Sequence, residues 1–273
     1  MSIKNAIKKS EIKIYILLCL IITNILWYVG YGIEEKETGN IIALILIYLA
    51  SFIPGIIAII MCKLKKEKIK TLLLLPNIKK SWKYYLIAIL VGLIMVYSTD
   101  IMPLLFFPKD VILITENISL MYLFKIILFT IFSILASIVL LGEELGWMGY
   151  LFPRLEKLNG TILSIFIIAI IRTIWHLGIF IRMDDIVFLI INLFISNLVL
   201  QSILVYFTKK TNSVFPSAII HSITNIMVGL SFVSYTEEFY NNNAIQFSLI
   251  GLIPLIIIGI IYFILLSKDK VKN

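Results

Sequence analysis

Apolar residues in this 273-residue chain do not recur at a helical or a strand period; they run in long blocks. Eight blocks, 14–31, 41–62, 84–106, 121–152, 161–181, 186–207, 213–235 and 245–266, have the length of a bilayer-crossing helix, which is roughly 20 residues. A backbone in lipid must satisfy its own hydrogen bonds, so helix is the expected element in every block. The expected fold is all-α: a polytopic membrane bundle of about eight transmembrane helices, one integral membrane domain over residues 1–273. The fourth block is too long for one simple span. Pro54-Gly55 and Pro254 are expected to kink the second and eighth helices. Pro216 falls in the first turn of the seventh, where the missing N–H is tolerated.

The polar positions between the blocks orient the bundle. With the N-terminus inside, one side collects Lys4, Lys8, Lys9 and Lys13, the lysines from Lys63 to Lys83, and Arg154, Lys157, Lys209, Lys210, Lys268, Lys270 and Lys272. The other side holds Lys36, Lys109 and Arg182 among Glu34, Glu35, Glu37, Asp184, Asp185, Glu237 and Glu238. This is the positive-inside pattern, with both termini cytoplasmic. It accounts for the net charge of +8 as a topology signal that also meets anionic lipid, and it argues against a nucleic-acid partner. A hydrophobic content of 60% and a mean hydropathy of +1.03 exclude a soluble domain.

The first block exceeds a signal-peptide core and lacks a small-residue cleavage site, so it reads as a retained anchor. Cys19 and Cys62 have neither metal nor redox spacing and read as packing residues. Residues 63–83, where lysines alternate with Leu72, Leu73, Leu74 and Leu75, fit an amphipathic element on the cytoplasmic face or a solvated loop.

Candidate chemistry sits inside three blocks. Glu143-Glu144 interrupt the fourth, Arg172 and His176 the fifth, and His221 and Asn225 the seventh; these are the only two histidines in the chain. Ionisable groups at membrane depth cost about 2.5–3.5 kcal/mol each on insertion scales and by default mark function. At helical spacing Glu143 shares a face with Trp147 and Tyr150, and Glu144 faces Met148. Arg172 with His176, and His221 with Asn225, are i, i+4 pairs. Gly142 and Gly146 form a small-xxx-small step open to a close neighbour. Such a set can activate a water and stabilise an oxyanion. It could also hold a divalent metal such as zinc through Glu143, His176 and His221, with one position open. Asn192 with Ser196, and Asn197 with Gln201, share faces of the sixth block and read as interhelical glue. Depth counting raises a conflict: His176 lies roughly 22 Å beyond Thr161 and His221 roughly 12 Å beyond Ser213 at 1.5 Å per residue.

The order Glu143-Glu144, then His176, then His221-x-x-x-Asn225 on successive membrane helices resembles the CAAX prenyl protease type II and bacteriocin-processing intramembrane proteases. The resemblance covers roughly residues 120–235, the expected catalytic core. It implies an endopeptidase with Glu143 as base on the attacking water, Glu144 beside it, His176 orienting the water, and His221 and Asn225 forming the oxyanion hole. Its substrate would be a hydrophobic or lipidated peptide, cut in or near the cytoplasmic half of the bilayer, with either no cofactor or a divalent metal.

Two positions depart from the pattern: Met148 stands where the family has arginine, and Arg172 where it has phenylalanine. The departures lead to the expectation that Arg172 supplies the missing charge to Glu144 from the facing helix, with Trp147 as a supporting side chain; the alternative is that Arg172 snorkels outward. A non-catalytic relative acting as a bacteriocin immunity or regulatory membrane protein is the second reading. A transporter with a proton relay is the third, disfavoured because no pair of broken, repeat-related helices is evident. The Ile- and Lys-rich composition points to a bacterial cytoplasmic membrane.

Overall fold

Helix follows helix in the computed structural model, which describes residues 3–114, 120–181, 183, 185–227 and 230–269. The loop charges Arg182, Asp184, Lys270 and Lys272 lie outside these residues. The order is α1 (Ile3–Glu34), α2 (Ile41–Leu64), a 3-10 turn (Ile69–Leu72), α3 (Ile78–Ile101), α4 (Pro103–Phe106), β1 (Ile112–Leu113) and α5 (Leu120–Glu144). A π-helical segment (Leu145–Leu151) then leads into α6 (Phe152–Asn159), α7 (Thr161–Trp175), α8 (Leu177–Phe180), α9 (Ile186–Thr211), α10 (Phe215–Ile226), β2 (Val233–Ser234) and α11 (Glu237–Asp269). β1 and β2 form one short antiparallel pair, Ile112 opposite Ser234 and Leu113 opposite Val233.

Among the described residues seven stretches are long and apolar enough to cross a membrane: Ser10–Glu34, Ile41–Leu64, Ile78–Phe106, Leu120–Asn159, Thr161–Phe180, Ile186–Thr211 and Ser248–Lys268. The eighth expected span, 213–235, contains α10, whose 12 residues rise roughly 18 Å. That is short of a hydrocarbon core of about 30 Å. α10 packs against α3, α5 and α9 and is buried from Pro216 to Ile223. A helix enclosed by protein needs an apolar surface all round but no lipid-spanning length.

The outer faces carry the lipid-compatible side chains. On α5, Phe124, Ile127, Phe132, Leu135 and Ile138 are exposed, while Tyr122, Ser133 and Ser137 turn inward. Ser222 of α10 donates its hydroxyl hydrogen to Ser133 O at 2.7 Å, tying the short helix to α5. Of the 63–83 segment, residues 65–77 form a loop around the 3-10 turn, with Leu72 buried and Leu75 exposed, and its two ends belong to α2 and α3. Its Leu73 carbonyl accepts from Val214 N–H at 3.1 Å, anchoring the start of α10.

Both internal prolines lie within continuous helices. Pro54 lacks the N–H that would bond the carbonyl of Ala50. Thr23 of α1 approaches that carbonyl instead, at 3.5 Å, and Tyr15 donates to Pro54 O at 3.1 Å. The break in α2's ladder thus becomes its attachment to α1.

Candidate active site

Glu143 and Glu144 occupy the last two positions of α5, where regular α-helix ends and π turns begin. The wider turn is visible at its far end, where Phe152 N–H reaches back five residues to Trp147 O. π turns inside α-helices recur at functional sites. Gly142 and Gly146 let α2 approach here: a Cβ on Gly142 would lie 2.7 Å from Phe52 Cδ1, and one on Gly146 2.5 Å from Pro54 Cβ. The small-residue step therefore seats α2, and α2 holds the carboxylate-bearing turn inside the bundle.

The carboxylates meet Arg172 from α7 and His221 from α10. Glu144 Oε1 accepts from Arg172 Nη1 at 3.0 Å and from His221 Nδ1 at 2.8 Å. Glu143 Oε2 lies 3.7 Å from Arg172 Nη2 and 3.9 Å from His221 Nδ1. Arg172 is 1% exposed and Glu144 fully buried, so this is an ion pair out of water. Glu143 Oε2, Glu144 Oε2 and Arg172 Nε have no hydrogen-bond partner, which leaves sites for ordered water. The carboxylate at 2.8 Å places His221's proton on Nδ1 and leaves Nε2 for another partner.

His176 terminates α7 and lies next to this cluster. Its Nδ1 donates to Arg172 O at 2.7 Å, so Nε2 carries the lone pair in the neutral ring. Trp27 of α1 stacks on the imidazole at 5.4 Å between centroids, and Trp175 meets it edge-on at 4.7 Å. Asn24 Oδ1 accepts from Gly178 N–H at 2.5 Å, fixing the chain where it leaves the helix. These α1 partners carry no sequence signal beyond an asparagine and a tryptophan within an otherwise ordinary anchor.

A cavity of about 280 Å³ is lined by Arg172, His176, His221 and Asn225, with Ser196 and Asn197 of α9 among its other walls. Asn225 is exposed on that wall. The two carboxylates sit one side chain behind it. Trp147 is fully buried between Tyr15 and Trp175, with its indole Nε1 unpartnered, and contributes packing to the site's floor. Met148 is also fully buried, its sulfur 3.4 Å from Gln201 Nε2. Asn197 donates to Thr173 Oγ1 at 3.3 Å, an interhelical bond. Despite the counted difference in depth, His176 and His221 line one cavity, and Arg172, one turn before His176, approaches His221 Nδ1 to 3.5 Å.

The metal-ligating set differs from the one expected. Among the described residues, the group with ligand atoms close enough to share an ion, within 4.8 Å, is Glu143, Glu144 and His221. His176 is directed to Arg172 O and is not in it. The guanidinium of Arg172 already supplies a positive charge within 3.7 Å of both carboxylates. A divalent ion would have to share them with that cation at close range, so the donor set fits a guanidinium-held carboxylate pair and does not fit a metal.

Residues 120–227, from the first residue of α5 to the residue after α10, match the family model for Rce1-like type II CAAX prenyl endopeptidases. No curated protein matches the chain.

Proposed function

We propose, from the match of residues 120–227 to the Rce1-like type II CAAX prenyl endopeptidase model within an integral membrane bundle, that the chain hydrolyses a peptide bond inside the membrane by a glutamate-activated water. The observation that carries this reading is the buried meeting of Glu143, Glu144, Arg172 and His221, from three helices, behind a cavity that His176 and Asn225 also line. The whole chain, residues 1–273, is the folding unit, the substrate is a hydrophobic or lipidated peptide, and the location is a bacterial cytoplasmic membrane.

The two carboxylates divide the work. Glu144 has one oxygen held by both Arg172 and His221, which fixes it as a counter-ion. Glu143 keeps Oε2 unbonded and is the base. It removes a proton from water while the water oxygen forms a bond to the scissile carbonyl carbon, with His176 Nε2 orienting that water. The carbonyl electrons move onto oxygen, and the Asn225 amide and His221, which in this role carries a proton on Nε2 as well as the Nδ1 proton held by Glu144, donate to the oxyanion. Collapse re-forms the carbonyl and breaks the C–N bond as the proton held by Glu143 passes to the amide nitrogen, giving a carboxyl and an amine terminus. No step uses a metal, and activity is expected to persist in saturating chelator.

The test compares peptides released by cells making the wild-type chain and by cells making Glu143→Gln, by mass spectrometry at equal membrane levels. Products that vanish in the variant, a loss of at least about 10²-fold, are expected. Identical profiles would favour the non-catalytic reading as an immunity or regulatory protein, which the buried Met148 at the family's arginine position keeps open.

A further inference from the structure

The cavity at His176 and His221 does not stop there. A second cavity of about 510 Å³ adjoins it, and the two share Val96, Thr99, Ser196 and Leu255 as lining residues. The second is bounded by the end of α3, the first half of α9 and the middle of α11, with Asp100, Asn192, Ser231 and Ser248 among its walls. Each of these helices carries lysines at its other end: Lys79 and Lys80 begin α3, Lys209 and Lys210 close α9, and Lys268 lies in the last turn of α11. Asn192 is 17 residues from Lys209, or roughly 26 Å along α9. The lysine-rich ends mark the cytoplasmic side. This second cavity therefore lies toward the extracytoplasmic side.

Its chemistry suits a peptide main chain. Asn192, Ser196 and Ser248 supply both donors and acceptors, as an extended backbone requires, Thr99, whose hydroxyl hydrogen goes to Val96 O, adds an acceptor, and Leu252 and Leu255 supply apolar surface. The mouth is braced: Asp100 accepts from Ser231 Oγ at 2.5 Å and from Phe232 N–H at 2.6 Å, which ties the 230–234 segment to the end of α3. The β1–β2 pair adds a second tie on the same side. Asn192 and Ser196, which sequence spacing alone reads as glue between helices, instead face open volume.

We infer that this polar vestibule is the entrance to the active site, so that the protein takes extended peptide segments presented from the extracytoplasmic side. The inference rests on the peptidase reading for what happens to the peptide, but the route itself is independent of catalysis. It reverses the expectation of access from the cytoplasmic half.

The experiment is cysteine accessibility in the full-length chain with Cys19 and Cys62 replaced by alanine. Ser196→Cys and Ser248→Cys report on the vestibule, Lys36→Cys on the outer loop and Lys209→Cys on the lysine-rich side. Each is treated with a membrane-impermeant sulfonated maleimide in spheroplasts and in inverted vesicles. Ser196→Cys and Ser248→Cys are expected to label in spheroplasts, as Lys36→Cys does, and to be protected in inverted vesicles. Labelling only in inverted vesicles overturns the inference. So does absence of labelling on both sides when the detergent-denatured protein reacts. External labelling of Ser196→Cys is further expected to abolish release of the Glu143-dependent peptides. Correct labelling without any Glu143-dependent peptide would leave the entrance standing and sink the peptidase reading.

Discussion

Arg172 is the side chain on which the site's charge balance turns. It is buried, it bonds Glu144, and it lies within 3.7 Å of Glu143. Removing it strands a carboxylate without its cation, so Arg172→Met is expected to destabilise the protein by about 3–5 kcal/mol, read from unfolding in detergent, and to stop peptide release. Arg172→Lys keeps the charge but not the planar fork, and is expected to recover only part of either property. Adding Met148→Arg to Arg172→Met returns a cation to the neighbourhood of Glu144; partial recovery of stability is expected, and none would show that entry from α7 is essential. At His176 the ring's packing and its chemistry separate. His176→Phe keeps a ring against Trp27 and Trp175 but loses Nε2 and the Nδ1 bond to Arg172 O, so a stability loss of only about 1 kcal/mol with at least about 10²-fold less peptide release is expected.

At the scale of elements, the π segment places the carboxylates and depends on α2 for its shape. Gly146→Ala drives a methyl group into Pro54, and a loss of about 1–3 kcal/mol is expected from overpacking, measured by the shift in thermal unfolding. Block hydropathy made most of the helices legible because lipid selects for length and apolarity together. It overstated α10, since a helix enclosed by protein and a helix facing lipid are apolar alike. The π turn was illegible for another reason: face assignments such as Glu144 with Met148 assume 3.6 residues per turn, and tertiary packing sets the departure from it. Spacing singled out Glu143, Glu144, Arg172, His176, His221 and Asn225 as candidates, and the structure gathers them around one cavity and the carboxylate pair behind it. The exchange of Met148 and Arg172 against the family pattern pointed to the Arg172–Glu144 pair, which forms at 3.0 Å, but not to His221 joining it, because that depends on side-chain reach between helices.

Across the whole molecule, parts outside residues 120–227 hold the site in shape. Glu11 of α1 accepts from Tyr150 at 2.7 Å and from Arg154 Nε at 3.3 Å, and it pairs with Lys65; Arg154 also pairs with Glu67. This network clamps α1 and the loop after α2 onto the end of the π segment. Glu11→Ala is expected to lower stability by roughly 1–3 kcal/mol without removing any group of the proposed reaction. A fragment of residues 120–227 alone would present Gly142 and Gly146 to lipid and leave His176 without Trp27. It is therefore expected to release no Glu143-dependent peptide even where it reaches the membrane.

The contacts of α1 also fix its rotation about its own axis. Tyr15 points to Pro54 and the π segment, while Asn24 and Trp27, further along, meet Gly178 and His176. One residue inserted between Cys19 and Thr23 would leave hydropathy and insertion unchanged yet swing Asn24 and Trp27 by roughly 100° relative to Tyr15. What reads as a membrane anchor thus behaves as a keyed shaft: its apolarity puts it in the bilayer, and its azimuth sets whether His176 has a wall to stand against.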